Sequence, residues 1–460
     1  MFVTFILSSL LFVLPAPAAV TVSGLQCEYL TDPVGIDVQT PRFTWVLIDA
    51  EKTRGQKQTA YEIQVASSQG LLEQGQADIW ESGRVLSSQS ALVPFSGQKL
   101  VSCEKCYWRV RVFDKDKKRS AWSSIAQFSM GLLNAADWTG PWIRHPTAPA
   151  GKQIWYRKTF ALRDKTACAL IYVASVGYHE LYVNGQKVDA RVLAPSLTRL
   201  DKRVLYVTYD ITRSLQVGEN CIGVWTGAGW SRYSFFKTEP ALRVQLNGRT
   251  ISGDTFSLAS DATWRCKISN SEDIGGCQYK DHGGERIDAR KYDPNWNTVS
   301  CDESQWSFPA LVSIRAVLSS QMVEPSRVIE TIDAQRVSGN GPFTVDLGKN
   351  FSGWFSVKMK NQSTGNIVTF QVSDNSGTVQ AFGQKSIYIC KGGPIETFQN
   401  RFNYAAGRYL TISGIENKPD RADITGYVIG TDLRRVGEFS CSNELLNKIY
   451  ETDLWTYRAN

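Results

Sequence analysis

The segment Glu180-Leu181-Tyr182-Val183-Asn184-Gly185 combines a strand-like run of residues with an Asn-Gly dipeptide. Asn-Gly is typical of a two-residue β-hairpin turn, because both turn residues must adopt positive φ and these two tolerate it. The segment therefore predicts a strand that turns back at Asn184-Gly185. By the same argument, Asn247-Gly248 predicts a second hairpin turn after the alternating residues 242–246.

Short alternating segments separated by turn residues continue along most of the chain, which favours tandem β-sandwiches and an all-β fold class. At 460 residues the chain is long enough for two to four domains. We predict a fibronectin III or immunoglobulin-like domain over 22–133, a jelly roll over 138–318 and a further β-sandwich over 323–435. The clearest predicted strands are residues 41–46, 61–66, 107–113, 120–123 (closing the first domain), 170–174, 203–209, 343–348, 353–357 and 367–372.

The apolar spacing changes to a helical period within residues 438–460. Ser442 is a good N-cap and Glu444 places a carboxylate in the first turn, where the helix dipole favours it. A single helix this short is marginal in water unless its apolar face is covered, so we expect the chain to be the front part of a longer protein. The predicted apolar stripe consists of Leu446, Tyr450, Leu454 and Tyr457, widened by Leu445 and Ile449.

The N-terminus carries an apolar run over residues 2–14, followed by Pro15-Ala16-Pro17-Ala18-Ala19. This pattern indicates a signal peptide over 1–19 and a secreted or periplasmic protein, the alternative being a buried N-terminal strand. The run is too short to cross a bilayer, and no second stretch approaches that length. We therefore expect no membrane association after signal cleavage.

Composition argues against several function classes. The net charge of +7 comes from 51 basic and 44 acidic residues without a long run of like charge, so nucleic acid is not an expected partner. Three histidines and the absence of GxSxG and GxGxxG motifs disfavour hydrolytic triads and nucleotide cofactors. Among ten cysteines, Cys266 and Cys277 flank a turn-rich insertion and are the predicted disulfide.

Two segments carry residues suited to sugar chemistry. Five carboxylates crowd residues 273–293, where a pair facing across a sugar would make a glycosidase site; the alternative, which we favour, is a polar loop in which Asp288 pairs with Arg286 or Arg290. The segment 225–236 is dense in aromatic residues interrupted by glycines, so Trp230 or Tyr233 is a candidate for stacking on a sugar, the alternative being core packing. The five carboxylates are Asp273, Asp281, Glu285, Asp288 and Asp293.

Five stretches in this order resemble the N-terminal portion of bacterial α-L-rhamnosidases, an inverting glycoside hydrolase family. They are RGQKQTAY (54–61), LYVNG (181–185), KRVLY (202–206), GERIDAR (284–290) and DLWTYRAN (453–460). The resemblance implies a fibronectin-like module, a rhamnosidase N-terminal jelly roll and a concanavalin-like sandwich. The predicted terminal helix would then open an (α/α)6 barrel that holds the catalytic glutamates, so no catalytic residue is expected in this chain.

The resemblance also implies a rhamnose-containing poly- or oligosaccharide as ligand and the protein's own catalytic barrel as partner. Related modules bind rhamnose through calcium, with ligands after the Asn-Gly turn. Here residues 187–191 offer only Asp189, and Arg191 adds a repelling charge, so no metal or other cofactor is expected unless calcium is retained at Asp189. The candidate carbohydrate-binding residues are Asp189, Trp230, Arg232, Tyr233, Glu285, Asp288 and Arg290.

Three functions remain open on the sequence alone. The first is the non-catalytic front portion of an exported α-L-rhamnosidase, and the second is a stand-alone carbohydrate-binding protein acting through the jelly roll. The third is a structural spacer of sandwiches. Hydrolysis by this chain alone is not expected.

Overall fold

The computed structural model describes residues 20–233, 239–376 and 382–459. The predicted signal peptide, residues 234–236 of the aromatic segment and Asn460 lie outside the described residues. The chain divides into two compact units, with the boundary after Leu133. The all-β prediction is confirmed, because strands dominate both units.

The first unit is a sandwich of two antiparallel sheets with the strand orders β1-β2-β5 and β4-β3-β6-β7. The ring of Phe43 in β2 stacks on Trp108 in β6 with centroids 4.3 Å apart, so the two sheets share one aromatic core. The predicted closing strand at 120–123 is wrong, because those residues are irregular and the sheet closes with β7. The elements are β1 (Val20–Cys27), β2 (Arg42–Asp49), β3 (Ala60–Ala66), α1 (Gln69–Glu73), β4 (Trp80–Glu81), β5 (Val93–Pro94), β6 (Lys105–Phe113) and β7 (Ala126–Ser129).

The second unit begins with the jelly roll. One of its sheets has the order β19-β8-β15-β10-β13-β20 with β16 beside β15, and the facing sheet runs β12-β11-β14-β9-β17-β18. The strands are β8 (Trp142–Arg144), β9 (Lys152–Leu162), β10 (Thr166–Val176), β11 (Tyr178–Val183), β12 (Gln186–Lys187), β13 (Arg203–Asp210), β14 (Gly218–Gly227), β15 (Ala241–Thr250), β16 (Thr255–Ala259), β17 (Arg265–Ile274), β18 (Gly284–Asp288), β19 (Ala310–Val312) and β20 (Val317–Ser320).

The remaining strands of the second unit form another sandwich, which continues the jelly roll. Strand β18 pairs in parallel with β25, with Arg286 opposite Ile387. One continuous sheet therefore crosses both sandwiches, in the order β12-β11-β14-β9-β17-β18-β25-β24-β27-β23-β28-β21. The predicted strands at 343–348 and 353–357 are a single strand, β23. The elements are β21 (Ser326–Asp333), β22 (Arg336–Ser338), β23 (Phe343–Gln362), β24 (Ile367–Ser373), β25 (Lys385–Ile389), β26 (Gly393–Gln399), β27 (Ala405–Ser413), β28 (Ile424–Thr431) and α2 (Glu444–Arg458).

The two predicted hairpin turns have different outcomes. Asn184 and Gly185 have φ of 50° and 85° between β11 and β12, as predicted. Asn247-Gly248 is not a turn, because both residues lie within β15 and the chain reverses after Thr250. Gly248 lies opposite Phe256 of β16, where a Cβ would come within 2.2 Å of the Phe256 ring, so this glycine makes room for a cross-strand aromatic side chain.

The terminal helix exists, but its cap and its contacts differ from the prediction. Asn443, not Ser442, is the N-cap, and its side chain accepts hydrogen bonds from the backbone N–H groups of Leu445 and Leu446. Trp455 packs against the core of the last sandwich, whereas most of the predicted stripe is exposed. None of the helices in the described part of the chain is long and apolar enough to span a membrane.

Candidate functional site

Trp230 reaches its position through a tight turn at the end of β14. A Cβ on Gly227 would lie 2.5 Å from the ring of Phe402, and one on Gly229, which has φ of +48°, would lie 2.6 Å from the ring of Tyr178. Glycine is required at both positions, because any side chain there would displace an aromatic ring. The turn therefore brings Trp230 beside rings from β11 and from the last sandwich.

A cavity of about 210 Å³ opens at this turn. The half-buried rings of Trp230 and Tyr233 lie in it with centroids 5.7 Å apart and planes inclined at 53°. Paired aromatic rings beside polar groups are a common arrangement in ligand pockets. The cavity is lined by Tyr178, Gly229, Trp230, Arg232, Tyr233, Asp273, Ile274, Cys277, His282, Gln384, Phe402, Asn403, Tyr404 and Ala406.

Aromatic packing and one hydrogen bond hold the cavity wall in place. Trp230 and Tyr404 pack against the aromatic cluster that contains Tyr178, and burial raises the pKa of the Tyr178 and Tyr404 phenols. The Arg232 guanidinium donates to the carbonyl oxygen of Gly275 at 2.9 Å. Three of the predicted sugar-binding residues, Trp230, Arg232 and Tyr233, are thus brought together at one cavity.

A pair of carboxyl groups, the half-buried Asp273 of the cavity wall and the fully buried Glu285, shares the amide nitrogen of Gln153. Gln153 Nε2 donates to Asp273 Oδ1 at 3.0 Å and to Glu285 Oε1 at 2.7 Å. Burial raises the pKa of Asp273, and burial together with the Asp273 charge raises the pKa of Glu285 to about 7. Glu285 is fully inaccessible and does not line the cavity, so the structure does not place it with the other candidate sugar-binding residues.

Asp288 and Arg290 lie outside this cavity. Arg290 Nε donates to Asp288 Oδ1 at 2.9 Å, and this bond lowers the pKa of Asp288. The predicted pairing of Asp288 with Arg290 is confirmed, but the prediction of a loop is wrong for Asp273, which lies in β17, and for Glu285 and Asp288, which lie in β18. Arg286 pairs instead with Glu272 at 2.9 Å.

The region after the Asn-Gly turn does not suit calcium. Asp189 accepts a hydrogen bond from the backbone N–H of Arg191 at 3.0 Å and forms an ion pair with its guanidinium at 2.8 Å. A cation there would have to displace a side chain that already neutralises Asp189, and calcium needs six to eight oxygen ligands. Within residues 20–233, 239–376 and 382–459, no three His, Cys, Asp or Glu side chains are grouped so as to hold a metal ion.

The predicted disulfide is absent, because both Cys266 and Cys277 are free thiols. Cys266 lies near the start of β17, which then runs extended to Ile274. At roughly 3.3 Å per residue this strand carries the chain some 25 Å away before Cys277 is reached, so closeness in sequence does not become closeness in space. Cys277 instead lines the cavity.

Several cavity residues had no signal in the sequence. Tyr178 meets the Trp230 turn through the pairing of β11 with β14, and the pairing of β18 with β25 joins the strands of the jelly roll to those beside Gln384 and Tyr404. No local period or spacing marks such residues, since their proximity depends on a long-range pairing.

Comparison with known proteins identifies the domains. The family models that match are the Rha78A-like N-terminal immunoglobulin domain over 22–134, the α-L-rhamnosidase N-terminal domain over 164–330 and the bacterial α-L-rhamnosidase concanavalin-like domain over 336–430. The order of these sandwiches defines the class, the β-sandwich domains of a glycoside hydrolase family. The chain belongs to the bacterial α-L-rhamnosidase family.

Individual relatives agree with this assignment. An α-L-rhamnosidase of Formosa agariphila is 30% identical over 94% of this chain and 50% of its own length. The solved α-L-rhamnosidase of Dictyoglumus thermophilum superimposes with a TM-score of 0.88 at 30% identity, over 95% of this chain and 52% of that one. A Streptomyces avermitilis α-L-rhamnosidase, solved in complex with L-rhamnose, has the same fold with a TM-score of 0.84 at 22% identity, over 96% of this chain and 60% of that one. The chain spans about half the length of the curated relatives it matches.

Proposed function

We propose that the whole protein is an α-L-rhamnosidase that hydrolyses terminal α-L-rhamnosyl residues of glycans or glycosides with inversion. The observation that carries the proposal is 30% identity across 94% of this chain to a protein named α-L-rhamnosidase. The described sandwiches would be its non-catalytic part, because Glu285 is inaccessible and Asp288 is held by Arg290.

The partner of these sandwiches would be the protein's own catalytic barrel. Support comes from α2, on which four apolar side chains are exposed although a helix of this length needs a covered face. These side chains are Leu445, Leu446, Ile449 and Tyr457. The matched relative is about twice as long as this chain, and a catalytic barrel would account for the additional length.

An activity assay on the complete coding product tests the proposal. We expect turnover of an aryl α-L-rhamnoside, release of β-L-rhamnose as the first product by NMR, and no turnover of an aryl β-glucoside. The 460-residue chain should be inactive on both substrates. Retention of configuration, or turnover by the 460-residue chain that is lost in Asp273→Asn, would contradict it.

We also propose that the protein is exported, on the pattern of residues 1–19. N-terminal sequencing of the protein recovered from the medium or periplasm should start near Val20. Recovery of the intact N-terminus from the cytosol would count against export.

A second candidate function is carbohydrate binding by the cavity at Trp230, favoured by the paired rings of Trp230 and Tyr233. Titration of L-rhamnose into the chain should change tryptophan fluorescence at millimolar sugar, and Tyr233→Ala should weaken this response. Tyr457→Ala, which alters an exposed tyrosine outside the cavity, is the control. No response at millimolar sugar would argue for a purely structural role.

A further inference from the structure

A second and larger cleft of about 450 Å³ lies between the jelly roll and the last sandwich. Its volume falls in the range of roughly 300–1,000 Å³ that is usual for small-molecule sites. Both sandwiches supply its walls, and their continuous sheet fixes the walls relative to each other. The residues that matter for the argument are Lys187, Asn270, Tyr292, Lys391 and Arg401.

A β-bulge supplies one wall. Strand β17 pairs with β9 through Ile268 opposite Ile154 and Glu272 opposite Lys152, so residues 269–271 together lie opposite Gln153 alone. Bulges of this kind redirect side chains and occur frequently beside functional sites. Here the bulge includes Asn270, which lines the cleft.

Asn270 is 93% buried, being 7% exposed, and its amide nitrogen has no hydrogen-bond partner among the described residues. Its amide oxygen receives only a long contact of 3.5 Å from the Ser271 hydroxyl. Because the amide nitrogen is accessible from the cleft, water or a ligand there can accept its hydrogen bond. Asn270 therefore offers a donor to a molecule in the cleft.

The cleft has an excess of positive charge. The one carboxylate that lines it, Glu180, pairs with Lys187 at 2.6 Å and with Arg401. Lys391 is exposed and forms no ion pair within the described part of the chain. Three cations against one carboxylate, in a recess between two sandwiches, favour an anionic ligand.

The other lining groups favour a sugar over a simple anion. Tyr292 keeps about half of its surface exposed, and its ring packs edge-on against Trp155 with centroids 6.1 Å apart. Thr397 and Gln399 project from the exposed face of β26 into the same cleft. Hydroxyl and amide groups beside an exposed ring suit the alternating polar and apolar faces of a saccharide.

We propose that this cleft binds an anionic saccharide, a sugar bearing a carboxylate or a sulfate. Lys391 and Arg401 would contact the acidic group, and the Asn270 amide would donate to a ring or hydroxyl oxygen. The inference rests on the proposed function for the expectation that the natural ligand is a glycan. Beyond the proposed function, the inference states that the glycan is negatively charged and that it binds at a site distinct from the cavity at Trp230.

Isothermal titration calorimetry on the 460-residue chain tests the proposal with three probes. Methyl glucuronide is the probe that carries a carboxylate, and galactose 6-sulfate is the probe that carries a sulfate. Methyl α-L-rhamnoside is the neutral control. At least one anionic probe should bind at millimolar concentration or tighter, at least about tenfold more tightly than the neutral probe, and weaken as salt is raised to about 0.3 M. The anionic probe that binds more tightly shows whether the acidic group of the ligand is a carboxylate or a sulfate.

Two lysine variants locate the site. Lys391→Glu should reduce binding of the anionic probe by on the order of tenfold or more, while Lys418→Glu, which alters an exposed lysine outside the cleft, should leave it unchanged. The circular dichroism spectra of both variants should match that of the parent chain. Binding of neither anionic probe, or equal binding by Lys391→Glu, overturns the inference. If the complete protein still hydrolyses α-L-rhamnosides in that case, this inference alone has failed and the proposed function stands.

Discussion

Glu285 in β18 accepts a hydrogen bond of 2.8 Å from the backbone N–H of Phe402, in the loop between β26 and β27. The same carboxylate also accepts bonds from Gln153 Nε2 at 2.7 Å, the Arg401 N–H at 2.6 Å and Asn400 Nδ2 at 3.2 Å. Four donors from the jelly roll and the last sandwich therefore converge on one buried side chain. Glu285 therefore links the jelly roll to the last sandwich by hydrogen bonds, next to the parallel pairing of β18 with β25.

At about pH 5, where the folded state holds Glu285 protonated, replacing Glu285 with Gln should lower the free energy of unfolding of the second unit by about 1–3 kcal/mol. The NH₂ group accepts no hydrogen bond, whereas the hydroxyl oxygen that it replaces can still accept one, so a buried N–H donor is left unpaired. Urea unfolding followed by tryptophan fluorescence measures the change. Asp288→Asn is the matched control on the same strand, and it should cost under about 1 kcal/mol because the Arg290 partner is partly exposed. Equal decreases in the free energy of unfolding in the two variants would contradict the role of Glu285 as the link between the sandwiches.

The raised pKa of Glu285 gives stability a pH dependence of defined sign. Between its ordinary value of 4.5 and its folded value of about 7 the folded state holds a proton that the unfolded state has lost. Stability from this group is therefore full below pH 4.5 and falls as pH rises through 7, by on the order of 3 kcal/mol. Comparing urea midpoints at about pH 5 and pH 8 for the parent chain and Glu285→Gln should show a smaller fall in the variant.

Glu180 has the opposite dependence at lower pH. The charges of Arg401 and Lys187 outweigh burial and lower its pKa to about 2. Its contribution is therefore present above its ordinary pKa of 4.5 and is lost as pH falls toward 2. The second unit should unfold in acid within that window, and Glu180→Gln should show a shallower acid transition by circular dichroism.

The sequence predicted those features that depend on local spacing. The Asn184-Gly185 turn follows from the positive φ that both residues tolerate. The alternating strands and the terminal helix follow from periods of two and 3.6 residues. The same local reasoning failed at Asn247-Gly248, where the identity of the partner residue Phe256 explains the glycine. Turn chemistry alone cannot distinguish a hairpin from a strand that must leave room for a ring.

The complete candidate site could not be predicted, because it depends on pairings between strands that are far apart in the sequence and that no local pattern indicates. Trp230, Arg232 and Tyr233 were found because they lie together in one aromatic segment. Asn270 was missed because its exposure to the cleft depends on the register shift between β17 and β9. Glu285 was predicted as a candidate because carboxylates crowd its segment of the sequence, whereas its neighbours in space bury it completely.

Replacing Gly227 with Ala should destabilise the second unit by about 2 kcal/mol. The new methyl group would lie 2.5 Å from the Phe402 ring, and overpacking of this kind displaces side chains or backbone. Because Phe402 also lines the cavity, the fluorescence response to sugar should weaken in the same variant. Gly70→Ala is the control, since a Cβ there meets nothing within 4 Å and Ala favours the helix α1. If Gly227→Ala has the same free energy of unfolding as the parent chain, the Phe402 ring moves aside without destabilising the fold, and the prediction is wrong.

Trp455 anchors α2 to the last sandwich, and its loss should release the helix. Its indole N–H donates to the carbonyl oxygen of Asn350 at 2.8 Å, and Lys349 Nζ lies 3.7 Å from the centre of its ring. Trp455→Ala should therefore remove about 2–4 kcal/mol of local stability, and hydrogen exchange over residues 444–458 should accelerate while exchange in β23 stays slow. Tyr457→Ala should leave exchange unchanged, because Tyr457 is 65% exposed. Acceleration in both variants would mean that the exposed face, and not the Trp455 contact, holds the helix in place.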